Sequence, residues 1–152
     1  MPATAINTTS VLRKIFSTKL KTIETGQSLA YDLISASRKG LPSSDYLPFL
    51  SEKDFFSLKD WANILHVSER TLQRYKQNKM KFDSSLSEKF LEILVILRIG
   101  TDVFGDKMKF KSWLNTKNLS LGGSKPKELL DTNFGTNLVK DELIRIAYGV
   151  FA

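Results

Sequence analysis

The stretch "LKDWANILHVSERTLQRYKQ", Leu58 to Gln77, decides the fold. Counting Leu58 as the first position, apolar or small residues fall at the fourth (Trp61), fifth (Ala62), eighth (Leu65), tenth (Val67), fifteenth (Leu72) and eighteenth (Tyr75). Two short helices that cross steeply need apolar contacts at such fixed offsets, and a small residue where their backbones meet. The spacing predicts a helix-turn-helix within Ser57 to Asn78. The ninth position is the turn, which ordinarily takes glycine because the backbone there needs a positive φ. Here it is His66. Histidine enters that region more readily than most residues with a Cβ, at a cost of about 1 kcal/mol relative to glycine. A turn role thus accounts for the single histidine better than a catalytic base or a metal ligand does.

Ser68 stands where the second helix needs an N-cap. On that helix Glu69, Arg70, Gln73, Arg74 and Gln77 point outward. Arginine reads guanine and glutamine reads adenine in the major groove. Ser68, Thr71, Lys76 and Lys79 are placed for phosphates, which position a protein without conveying sequence. From Arg70 to Lys81 there are five cations (Arg70, Arg74, Lys76, Lys79, Lys81) and no acid. A helix-turn-helix is sometimes only a packing unit with a solvated charged side. The coincidence of the basic run with the recognition helix favours DNA.

The rest of the composition sets bounds. The chain has 152 residues, 41% of them hydrophobic and 26% charged. Those are values of a soluble globular protein, long enough for one ordinary domain or two small ones. Lysine and arginine number 23 against 16 acids, a net charge of +7 that favours anionic partners. The absence of cysteine excludes disulfides, thiolate metal sites and a cysteine nucleophile, and fits a reducing cytoplasm. The longest apolar run, "ILVIL" from Ile93 to Leu97, is far short of the roughly 20 residues that cross a bilayer. Residues 1–26 read as a basic arm or first helix. Arg13, Lys14, Lys19 and Lys21 there resemble an organellar import segment in composition, but no apolar signal-peptide core is present.

Helical periods recur along the chain, in Val11, Leu12, Ile15, Phe16 and Leu20, and in Leu29, Leu33 and Ile34 up to a stop at Gly40. "SLSEKFLEILVILRIG" predicts a helix with a capping box at Ser85 and Glu88 and a stop at Gly100. A helix over Asp102 to Leu114 would bury Phe104, Met108 and Trp113. Pro126 suits a first helical turn. Thr136 to Tyr148 would form the last helix, with Leu138, Val139, Leu143 and Ile146 at helical intervals. No strand or hairpin pattern appears, so the expected fold is all-α. The apolar faces at Phe90 to Leu97 and Phe104 to Trp113 are core by default. Scattered acids and lysines, and an "LGGS" too short for a phosphate loop, point to no enzyme, no cofactor and no metal.

The second half, "FGDKMKFKSWLNTKNLSLGGSKPKELLDTNFGTNLVKDELIRIAYGVFA", resembles the toxin-binding domain of Xre/MbcA/ParS-type antitoxins. The matching elements are "FGD" (Phe104 to Asp106), "WLNT" (Trp113 to Thr116), "LGG" (Leu121 to Gly123), Pro126, "ELLDT" (Glu128 to Thr132), Gly135 and the closing "RIAYGVFA". Upstream, "GLPSS" and "VSERTLQRYKQ" are similar to the family's swivel segment and Xre-like helix-turn-helix. The resemblance covers roughly residues 27–152 and implies an Xre-like DNA-binding domain over 27–100, then a small helical toxin-binding domain over 101–152.

It further implies an antitoxin of a bacterial type II toxin–antitoxin system. Such a chain forms a cytoplasmic homodimer, joins the nucleoid when it binds double-stranded operator DNA as a repressor, and neutralises a RES-domain toxin that consumes NAD⁺. Its C-terminus would enter the toxin's active site, through Arg145, Tyr148, Gly149, Val150, Phe151 and Ala152. The residue types agree. Gly149 allows the chain to change direction, and each apolar residue buried is worth about 1.5 to 3 kcal/mol before ordering costs. Arg145 and the Ala152 carboxylate add charges that a nucleotide site would recognise. The alternatives are a tail that completes its own core or docks across a dimer, and a plain helix-turn-helix regulator whose C-terminal half dimerises or senses a ligand.

Overall fold

The computed structural model describes residues 11–16, 27–51 and 54–149. The all-α expectation holds. Among the described residues no strand forms, and the one extended feature is an isolated antiparallel bridge between Asn118 and Ser124. Two compact units divide between Glu92 and Ile93.

In the first unit, residues 11–16 are helical with Val11 and Ile15 buried. Helix α1 follows (Gln27–Lys39), then α2 (Ser43–Ser51), α3 (Leu58–Leu65), α4 (Glu69–Gln77) and the start of α5 (Ser84–Phe104). Gly40 ends α1 at φ +83°, as the sequence suggests, and a Cβ there would stand 2.3 Å from the Phe82 carbonyl oxygen. That proximity is used. The Phe82 N–H donates to Leu41 O at 2.9 Å, and the Leu41 N–H donates to the buried Ser87 Oγ at 2.8 Å.

An aromatic cluster fills the centre of this unit. Tyr46 stacks on Phe82 at 3.8 Å between centroids, Trp61 lies 4.9 Å from Phe90, and Phe56 meets Trp61 edge-on at 5.2 Å. The Tyr46 hydroxyl donates to Met80 O and Tyr75 O, tying α2 to the end of α4. Burial and the neighbouring Tyr75 push its pKa up to about 12.

The second unit holds the rest of α5, then α6 (Lys107–Leu114), the 3₁₀ turns Leu119–Leu121 and Pro126–Leu129, and α7 (Asn133–Ala147). Both 3₁₀ turns pack against α7. Pro126 occupies the first helical position of its turn, as anticipated. The faces at Phe90 to Leu97 are core: Phe90, Leu91, Ile93, Leu94, Ile96 and Leu97 are all buried.

Several helix limits differ from the sequence reading. Helix α5 starts earlier, because Asp83 is the cap: its Oδ1 accepts the Leu86 N–H at 2.8 Å. Ser85 lies inside the first turn instead. The helix also runs through Gly100 to Phe104. Gly105 at φ +66° makes the stop, and Asp106 caps α6 by accepting the Met108 N–H at 2.8 Å. The helix expected over Asp102 to Leu114 is therefore broken. Its buried residues are Phe110 and Leu114; Met108 is 69% exposed, and Phe104 and Trp113 are half-buried around Phe110. Helix α7 begins at Asn133 because Thr132 caps it, its hydroxyl accepting the Gly135 N–H at 2.9 Å. Val139 and Leu143 are buried, but Leu138 is not.

Candidate functional site

The helix-turn-helix is assembled from reciprocal caps. Ser57 Oγ accepts the Asp60 N–H, and Asp60 Oδ2 accepts the Ser57 N–H, both at 3.1 Å. This capping box starts α3 so that Trp61, Ala62 and Leu65 turn inward. At the turn His66 takes φ 58°, ψ 40°, the left-handed conformation the sequence demanded of it. Ser68 then caps α4 by accepting the Thr71 N–H at 3.0 Å, and its own hydroxyl donates to Thr71 Oγ1 at 2.9 Å. Leu72 is the buried residue of α4, and α2 packs against both α3 and α4. The scaffold that holds α4 is thus made of caps and a closed apolar core.

Outward from that scaffold the structure gathers most of the sequence-identified residues on one surface. Ser68, Arg70, Thr71, Gln73, Arg74 and Gln77 line an open depression of about 430 Å³. Glu69 is exposed at the first turn, Lys76 is half-buried beside Tyr75, and Lys79 is exposed just beyond the helix at φ 49°. Amide and hydroxyl groups therefore share this surface with two guanidinium groups. Such a face offers amide, hydroxyl and guanidinium groups as hydrogen-bond donors to a polar or anionic partner.

At the other end of the chain, Arg145, Tyr148 and Gly149 come together where α7 stops. Tyr148 is the C-cap, 63% exposed, and its N–H donates to Ile144 O at 3.1 Å. Gly149 takes φ +66° with nothing within 4 Å of a Cβ, so backbone conformation and not crowding calls for glycine there. Arg145 is tied down: its Nη1 lies 3.0 Å from Oε2 of the buried Glu142. Val150, Phe151 and Ala152 lie outside the described residues.

Sequence reading missed one feature. Phe134 is 87% exposed and Leu138 54%, one turn apart on α7. The signal was the offset of this pair from Val139 and Leu143, which marks a second face.

Among the described residues no group of three or more His, Asp or Glu is placed to hold a metal ion. None of the described helices is long and apolar enough to cross a membrane.

Two comparisons bear on this arrangement. Residues 100–149 match the family described as "Antitoxin Xre/MbcA/ParS C-terminal toxin-binding domain". The chain is also 31% identical over 87 residues to a protein of Yersinia enterocolitica named "Antitoxin Xre"; the match takes in 57% of this chain and spans 59% of that relative. With the ordered motifs from Phe104 to Gly149, these matches show that residues 100–149 are similar to the toxin-binding domain of Xre/MbcA/ParS-type antitoxins, and that the chain spans a little over half the length of the curated antitoxin it resembles.

Proposed function

We propose that this chain is the antitoxin of a bacterial type II toxin–antitoxin pair. It neutralises a RES-domain, NAD⁺-consuming toxin by inserting its C-terminus into the active site, and as a cytoplasmic homodimer it represses its own operon through the helix-turn-helix. Residues 1–26 serve as a basic arm, 27–100 as the DNA-binding domain and 101–152 as the toxin-binding domain. The match of residues 100–149 to a toxin-binding domain carries the reading. Further support comes from the recognition helix, whose exposed side holds Arg70, Gln73, Arg74 and Gln77 and whose turn is set by His66. A two-fold protein pairs naturally with a palindromic operator.

Neutralisation in this reading is steric. Tyr148 and Gly149 end α7 and direct the three residues that follow into an apolar cleft, where they exclude substrate. The test is co-expression with the product of the neighbouring gene, expected to be a RES-domain toxin, with growth and cellular NAD⁺ as readouts. The intact chain is expected to restore both, and deletion of Gly149 to Ala152 is expected to abolish the rescue. Rescue that survives the deletion would overturn insertion. No rescue by the intact chain, with operator binding retained, would instead identify a plain regulator.

A further inference from the structure

The last helix has two apolar faces, and the fold uses one. Val139 and Leu143 are completely buried, with Gly135 and Thr136 beside them. Gly135 lies so close to the 3₁₀ turn that a Cβ would meet Leu129 O at 1.8 Å, which fixes this side of α7 inward. At 100° per residue, Phe134, Leu138, Asp141, Arg145 and Tyr148 fall within about 80° of arc, clear of the buried side. Phe134 is 87% exposed, Leu138 54% and Tyr148 63%.

A single exposed apolar residue needs no explanation. Here, however, the matched domain has five large exposed hydrophobics among its described residues (Met108, Leu119, Phe134, Leu138, Tyr148), and three share this stripe. The stripe is about 21 Å long and leads directly into the C-terminal residues.

Its chemistry points to a protein partner. In a chain of net charge +7, the stripe carries one acid, Asp141, and one cation, Arg145, already held by Glu142. One paired cation gives an anionic polymer little to bind, whereas three exposed apolar side chains suit an apolar groove. The stripe lies within residues 100–149, the span that is similar to a toxin-binding domain, and this favours a toxin as the protein that covers it.

We infer that the stripe from Phe134 through Leu138 to Tyr148 anchors the toxin, separately from the C-terminal plug. The inference rests on the antitoxin reading. The stripe supplies affinity, and the tail supplies inhibition.

The experiment uses the full chain and the purified product of the neighbouring gene, expected to be a RES-domain protein. Calorimetry gives Kd, NAD⁺ hydrolysis gives inhibition, light scattering gives the mass of the free chain, and thermal melting reports folding. The double variant Phe134→Ser with Leu138→Ser is expected to weaken binding about thirtyfold or more, because few central apolar residues dominate most interfaces. Its melting and mass should match the parent chain, and at saturation it should still inhibit. Deletion of Gly149 to Ala152 should keep binding within about tenfold yet leave NAD⁺ hydrolysis running. If the double variant melts early, Phe134→Asn alone is expected to move Kd the same way.

Wild-type affinity in the double variant would overturn the anchor, as would a halved mass, which would make the stripe a contact between copies of this chain. A parent chain that neither binds nor inhibits the RES-domain protein would sink the antitoxin reading itself. A parent that does both while the double variant is unchanged sinks only the anchor.

Discussion

Gly100 packs directly against the ring of Phe110: a Cβ at Gly100 would stand 2.0 Å from Phe110 Cζ. Phe110 is completely buried, so its ring has nowhere to go. Gly100→Ala is expected to destabilise the protein by about 1 to 3 kcal/mol in urea unfolding, as overpacked cores do. Phe110→Leu on that background should recover part of the loss, because both changes act on one contact. Strictly additive effects would show that the contact is not the cause.

His66 holds a left-handed conformation, with φ 58° and ψ 40°, at the bend between α3 and α4. A β-branched residue resists those angles more than histidine does. His66→Val is expected to cost about 1 to 2 kcal/mol, and His66→Gly to stay within about 1 kcal/mol of the parent. Thermal unfolding of the three proteins checks this. Equal stability of the valine and glycine variants would mean that the turn relaxes out of the left-handed region.

The helix-turn-helix was legible because its geometry admits few solutions. Once Ala62 and His66 are placed, the inward set Trp61, Leu65 and Leu72 follows. Helix ends were less legible because their causes lie elsewhere in the chain. Gly100 looks locally like a stop, yet its reason is Phe110, ten positions later. Likewise Phe104 and Met108 share a face only if one helix continues through Gly105, where the backbone turns left-handed. The surface residues of α4 followed from its inward residues. Phe134 and Leu138 did not, since helical patterning assigns apolar residues to the core by default.

Asp45 is a buried carboxylate in the first turn of α2, and its Oδ2 has no hydrogen-bond partner. Burial raises its pKa above the ordinary 3.8 by disfavouring the charged form. The folded state therefore binds the proton more tightly than the unfolded chain does. Its contribution to stability is full below 3.8 and is lost as pH rises through the higher folded value. Asp45→Asn, neutral and of similar shape, is expected to raise stability at pH 7 and to flatten the decline that sets in as pH rises above 3.8. Urea unfolding from pH 4 to 8 measures both. An unchanged pH profile would show that Asp45 is not the group responsible.

Arg70 and Arg74 stand on the same exposed side of α4, one turn apart, flanking Gln73. Neither has a role in the apolar core, so Arg70→Ala and Arg74→Ala should leave the melting temperature unchanged. Each is expected to weaken binding to operator DNA by about 1 to 3 kcal/mol where it makes a bidentate base contact, and to relax specificity at that base pair. Lys79→Ala acts differently. A phosphate contact is lost uniformly across sequences, and the slope of log K against log salt should fall by about one unit. Gel shifts at two salt concentrations, on operator and on scrambled duplex, separate the two behaviours. Parent-like shifts from both arginine variants would remove α4 from the role of reading helix.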